Sequence, residues 1–346
     1  MKRIIFVVFF SVLLAVPVHA LDITAPEVPE SVQSRMPSNR ESFGQGLLEI
    51  LQDALAHFRP DLKEASGVCL GVTAAMVTVT VIQSFSGSAQ RISNLAGTVA
   101  IAAILLQSAH SLIYLGTQTV TELSEYGKLL LPVLTTALAA QGGVTTSSAL
   151  YAGTAAFDAV MSSLISKILI PMVYLFLALA AAGSAVGEDL LKRLRDMVKG
   201  CMIWILKTIL YVFTGYLAIT GVVSGTTDAA AVKAAKLTIS GAVPVVGGIL
   251  SDASEAILVS AGTVKNAVGL YGLFALAAIW LSPFLKIGVH YLLLKLTASA
   301  CGIFGSKQMT DLVCDFSSAM GILLGMTGAV CLMLLVSIFC FLKGAA

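Results

Sequence analysis

LISKILIPMVYLFLALAAAGSA, residues 164–185, holds one charged side chain, Lys167, in its whole length. As an α-helix it reaches about 33 Å, enough to cross the roughly 30 Å hydrocarbon core of a bilayer. Runs at 67–85, 95–116 and 201–224 are built the same way. Across the chain 57% of residues are apolar and 12% are charged, with a mean hydropathy of +0.93. A soluble domain carries about a quarter of its residues charged. The fold class is therefore an all-α polytopic membrane protein. Two further spans in the last hundred residues bring the expectation to about six transmembrane helices.

The chain begins MKRIIFVVFFSVLLAVPVHA. Lys2 and Arg3 precede an apolar core, and small or tolerated residues stand at Val18 and Ala20. That pattern is a secretory signal peptide, residues 1–20, cut after Ala20, which leaves the mature N-terminus extracytoplasmic. Residues 21–65 carry four bases against eight acids, an unremarkable balance for a translocated segment. Within them GLLEILQDALAHF places Leu47, Leu51, Leu55 and Phe58 at helical spacing, so an amphipathic helix is expected with that face apolar.

Charge assigns sides to the rest. Arg91 stands alone in the loop after the first span, which fits the cytoplasm. TELSEYGK, residues 121–128, fits the outside. GEDLLKRLRDMVKG, residues 187–200, carries Lys192, Arg193, Arg195 and Lys199 and reads as a cytoplasmic interfacial helix. Six spans put Ala346 on the same side as the mature N-terminus. The stretch 286–304 leaves that count open, because it reads as a further span.

Two apolar segments are interrupted. LLLPVLTTALAAQGG contains Pro132 and the pair Gly142 and Gly143; VPVVGGILSDASEAIL, residues 243–258, contains Pro244, Gly247, Gly248, Asp252 and Glu255. Pro132 and Pro171 are 39 residues apart, and so are Pro244 and Pro283. This spacing suggests an internal repeat, with a first helix pair at 66–128, one unit at 129–240 and a second at 241–346. Broken helices at matching places in two halves point to a site near the membrane midplane, since irregular backbone there needs protein or water around it. The second segment either re-enters the membrane to line an aqueous path or dips as an outer loop into the headgroups.

Few side chains offer chemistry. Asp158 lies among small and apolar residues, where an intramembrane carboxylate is costly unless paired or hydrated; it lines a conduit or couples protons, or it is a solvated acid at a helix end. Lys167 and Lys265 follow the two segments, and His110, Lys286, His290 and Lys295 complete the set. The candidate passage-lining or structural positions are Pro132, Gly142, Gly143, Asp158, Pro244, Gly247, Gly248, Asp252 and Glu255. No P-loop, HExxH or GxSxG motif occurs, nor a basic aromatic groove for nucleic acid. The six cysteines form no close pairs and read as small core hydrophobes. No catalytic residue, cofactor or metal is assigned.

AVPVVGGILSDASEAILVSAGTVKNAVG (242–269), SPFLKIGVHYLLLKL (282–296) and QGGVTTSSALY (141–151) together resemble the stage III sporulation protein AE family of endospore-forming bacteria. The resemblance covers about 45–342 and rests on texture rather than on a catalytic motif. It implies a non-enzymatic membrane subunit of a secretion-like channel complex, or feeding tube, in the mother-cell membrane around the forespore. The implied partners are the other membrane proteins of the same stage III operon and, through the complex, a forespore-membrane protein. The implied role is support of late forespore gene expression. Two other readings stand beside it: a stand-alone proton-coupled transporter of a small solute, and a scaffold for other subunits.

Overall fold

The computed structural model describes residues 26–37, 43–85, 90–140, 144–219, 267–303 and 305–344. Among them the elements are helices: α1 Glu30–Gln33, α2 Phe43–Ala56, α3 Phe58–Phe85, α4 Gln90–Ala140, α5 Val144–Leu164, α6 Ile170–Val186, α7 Asp189–Ile219, α8 Ala267–Cys301 and α9 Lys307–Gly344, with a π turn at Ile165–Leu169 joining α5 to α6. Six helical stretches are long and apolar enough to cross a membrane, counting α2–α3 as one and α5–α6 as one. The segment 286–304 adds no span, because α8 runs continuously through Pro283 and Lys286 to Cys301.

α9 is the axis. It packs against α4, α5, α6, α7 and α8, and 89% of its most apolar window is buried. Phe316, Leu323, Met326 and Ala329 are all sealed. Two of its hydroxyls turn back on its own backbone: Thr327 Oγ1 donates to the Leu324 carbonyl at 3.2 Å and Ser337 Oγ to the Met333 carbonyl at 2.7 Å. A helix apolar on every side belongs inside a bundle, and here the other helices supply its covering.

Two expected boundaries do not occur. TELSEYGK is not a loop: α4 passes through it, and through Pro132, without a break. Pro132 removes one ladder bond, yet Leu130, Leu131 and Leu134 around it are buried while the proline faces out. Thr136 Oγ1 donates to the Val133 carbonyl at 2.8 Å and Thr135 Oγ1 to the Leu131 carbonyl at 2.7 Å. Packing on both sides of Pro132 thus outweighs the lost bond. The basic stretch 189–200 is likewise no separate interfacial helix but the first turns of α7. Val198 is buried there, whereas Leu190, Leu194 and Met197 face outward.

At Pro171 the chain uses another device. The Ile170 N–H bonds the Ile165 carbonyl, five residues back, and the wider π turn carries the chain past the missing proline donor. α6 ends at Gly187, whose φ of 80° closes the last turn with a bond from its N–H to the Gly183 carbonyl at 2.9 Å. Only a residue without Cβ takes that conformation cheaply, and it reverses the chain into α7 within two residues.

The N-terminal helix forms as expected at Phe43–Ala56 and docks on α8, but with a different face inward. Gly46, Ile50 and Ala54 are buried, and Gly46 lies against the Phe274 ring, so Leu51 and Leu55 point away. The narrow glycine–alanine edge lets the helix approach α8 more closely than the leucine edge would. Lys286 of α8 then binds Glu64 at 2.7 Å and Asp61 at 3.4 Å at the start of α3.

Candidate functional site

Three polar clusters stand out among the described residues. The first joins α4 to α5. Ser124 Oγ donates to Asp158 Oδ2 at 2.9 Å, and both residues are buried. Asp158 Oδ1 finds no partner among the described residues, and the Lys128 charge acts on the carboxylate from one turn further along α4. The aromatic contacts of Phe157 with Phe213 and Tyr216, at 5.4 and 5.5 Å between centroids, brace α5 from the other side. Tyr216 also donates to the Ala149 carbonyl at 2.7 Å.

Asp158 is therefore enclosed between two helices and is not a solvated helix-end acid. Asp158→Asn keeps an acceptor for Ser124 and is expected to leave thermal unfolding in nanodiscs unchanged. Asp158→Ala strands Ser124 and is expected to lose about 1–3 kcal/mol. A sporulation defect in the Asn variant, with the protein present at normal level, would show that the charge itself is used.

The second cluster joins α7 to α9. Arg195 Nη1 meets Asp315 Oδ2 at 2.6 Å while its Nε and Nη2 hold Asp196 Oδ1 at 3.0 and 2.9 Å. One turn on, Lys199 Nζ donates to Ser318 Oγ at 3.0 Å. Sequence reasoning used Arg195 only as a mark of sidedness and passed over Asp315. The available signal was Asp311 and Asp315, four apart at the start of an apolar helix. A third group lies on α8, where Tyr291 accepts from Lys295 through its hydroxyl and from Ser317 through its carbonyl. The His290 ring is buried one residue away, with Nδ1 against the Lys286 carbonyl at 2.9 Å.

Of the positions singled out from sequence, Pro132 faces outward on α4 and Asp158 is in the first cluster. The structure does not bring these two together in a common bond. Gly142, Gly143, Pro244, Gly247, Gly248, Asp252 and Glu255 lie outside the described residues, as do residues 1–20, where a signal peptide is expected. His110 meets the Tyr174 hydroxyl at 3.0 Å between α4 and α6, and Lys167 sits exposed in the π turn.

The family model for stage III sporulation protein AE matches residues 37–344, all six helical stretches included. The chain belongs to that family. A relative from Bacillus subtilis (strain 168), stage III sporulation protein AE, is 24% identical over 196 residues. That alignment covers 57% of this chain and 49% of the relative, so the chain spans about half the length of the relative it matches. No solved structure matches the chain. For this member of the family the helical membrane architecture and these polar clusters are what the described residues present.

Proposed function

We propose that this chain is a non-enzymatic integral membrane subunit of the sporulation channel complex linking mother cell and forespore, needed for late forespore gene expression. Its partners on this reading are the other stage III operon membrane proteins and, through them, a forespore-membrane protein. Family membership supports the sporulation setting. The observation that carries the subunit role is α9. A central helix buried along most of its length fills the axis of the described bundle, and a filled axis favours a passage built between chains over one bored through a single chain. Asp158, the obvious coupling carboxylate for a transporter, is tied to Ser124 between two packed helices.

The orientation follows from charge. On this reading Lys192, Arg193 and Lys307, at the neighbouring ends of α6, α7 and α9, lie in the mother-cell cytoplasm and the mature N-terminus lies outside it. Purified chain in liposomes is expected to show no solute flux above empty vesicles. A deletion strain is expected to stop after engulfment with its forespore inactive. Solute uptake by the chain alone, driven by a proton gradient and lost in Asp158→Asn, would instead make it a transporter.

A further inference from the structure

The leucines that α2 turns outward keep a register of their own. Leu48, Leu51, Leu55, Phe58 and Leu62 follow one another at steps of three, four, three and four along α2 and the first turn of α3. That alternation is the a/d seam of a coiled coil, which a helix presents to a second helix. The seam is open among the described residues: Leu48 is 55% exposed, Leu51 37%, Leu55 48% and Leu62 41%. It covers 48–62, about 21 Å of helix. The packing on α8 does not use it, because the buried edge of α2 is Gly46, Ile50 and Ala54.

Charge on this helix is sorted. Its acids are engaged: Asp53 lies 3.9 Å from Arg35, Asp61 and Glu64 hold Lys286, and Glu49 has an interaction of its own. Its cations are not. Arg59 and Lys63 are exposed beside the leucines and form no ion pair among the described residues. Gln52 and Arg59 fall at the e position next to the seam, and Lys63 stands one step further round.

Three occupants fail to fit. α2 and α3 run alongside α8, since Gly46 meets Phe274 while Asp61 and Glu64 reach Lys286. The same helical stretch continues to Phe85 as a candidate span. The seam is therefore parallel to the span, and a membrane surface lying across it touches it at one height only. Immersion among acyl chains is barred by Arg59 and Lys63, because charged groups in hydrocarbon face protein or water. A second copy brings the same two cations, and acids that are already engaged. We infer that the leucine seam of α2 and α3 receives an amphipathic helix of another protein, one whose apolar stripe is flanked by Asp or Glu. Those acids meet Arg59 and Lys63 while the stripe covers the leucines. The surface requires only that the chain crosses a membrane, and it stands independently of the role in a channel.

The probe is a fluorescent peptide of about 28 residues with Leu at every a and d position and Glu at every e and g, whose like charges keep it from pairing with itself. Its counterpart carries Lys in place of Glu. With the full chain in phosphatidylcholine nanodiscs, fluorescence anisotropy is expected to show the Glu peptide binding about tenfold more tightly than the Lys peptide. Arg59→Glu with Lys63→Glu should reverse that order. Leu51→Asp with Leu55→Asp, at exposed positions, should abolish binding. Equal binding of the two peptides, or binding of neither, overturns the proposal. So does a Leu55→Cys variant that takes up no more maleimide than the unsubstituted chain, since the chain then covers its own seam. Dimers by native mass measurement, lost in the Leu51→Asp and Leu55→Asp variant, would overturn it in favour of a second copy. A dye on Leu55→Cys whose emission shifts to the blue as anionic phospholipid is added would overturn it in favour of the membrane.

Discussion

Arg195→Ala is expected to destabilise the folded chain by about 3–5 kcal/mol, the usual loss when one member of a buried ion pair is removed. Its guanidinium reaches Asp315 at 2.6 Å, and the two side chains are only 15% and 11% exposed. Without the arginine, the Asp315 carboxylate remains packed against α7 with no cation at bonding distance. The paired replacement Arg195→Met with Asp315→Leu removes both charges together and is expected to recover most of the loss. Steric-trap unfolding in bicelles measures both. A single variant within about 0.5 kcal/mol of wild type, the scatter of ordinary surface changes, would mean that water reaches the pair freely.

Phe316→Ala should lose about 2–4 kcal/mol, chiefly through the cavity it leaves. Lipid tails are as apolar as a protein core, so within the membrane the transfer contribution nearly cancels. What remains is lost contact among the residues that enclose the ring, and Phe316 is 1% exposed on the central helix. Phe85 is the control: the same side chain is 87% exposed at the end of α3, and Phe85→Ala should stay within about 0.5 kcal/mol of wild type. Equal losses at the two positions, in the same unfolding measurement, would refute the placement of α9 at the axis.

These effects separate what could be read from residue type alone from what could not. Charge-poor runs identified the spans, because a bilayer demands length and low charge of each helix individually. Nothing in a run says which spans are peripheral. α9 and α6 look alike as strings, yet the first is enclosed and the second has Tyr174 and Leu175 at the surface. The amphipathic N-terminal helix was legible as a helix, while its inward edge was not. Leucine spacing pointed to Leu51 and Leu55, but the fit against Phe274 selected Gly46, Ile50 and Ala54.

Pro132 and Asp158 show the same limit at the candidate site. A proline in an apolar run reads as a break because its local effect is unfavourable, and the leucines of α4 that override it act by packing on other helices, Leu130 against Gly272 of α8. Asp158 stood out as an acid among small residues, whereas its partner Ser124, 34 positions earlier, gave no signal. Arg195 and Asp315, 120 positions apart, are each ordinary at a basic helix end and an acidic helix start.

By itself the sequence determined the class, the helical spans, the family resemblance and the concentration of cations at one end. Each of these depends on properties that a residue or a short run carries with it: hydrophobicity, length and charge. Tertiary structure alone decided that α9 fills the axis, that α4 continues through Pro132, and that Asp315 meets Arg195. Those outcomes depend on which surfaces approach each other, and burial, pairing and exposure are properties of that approach rather than of the residues taken one at a time.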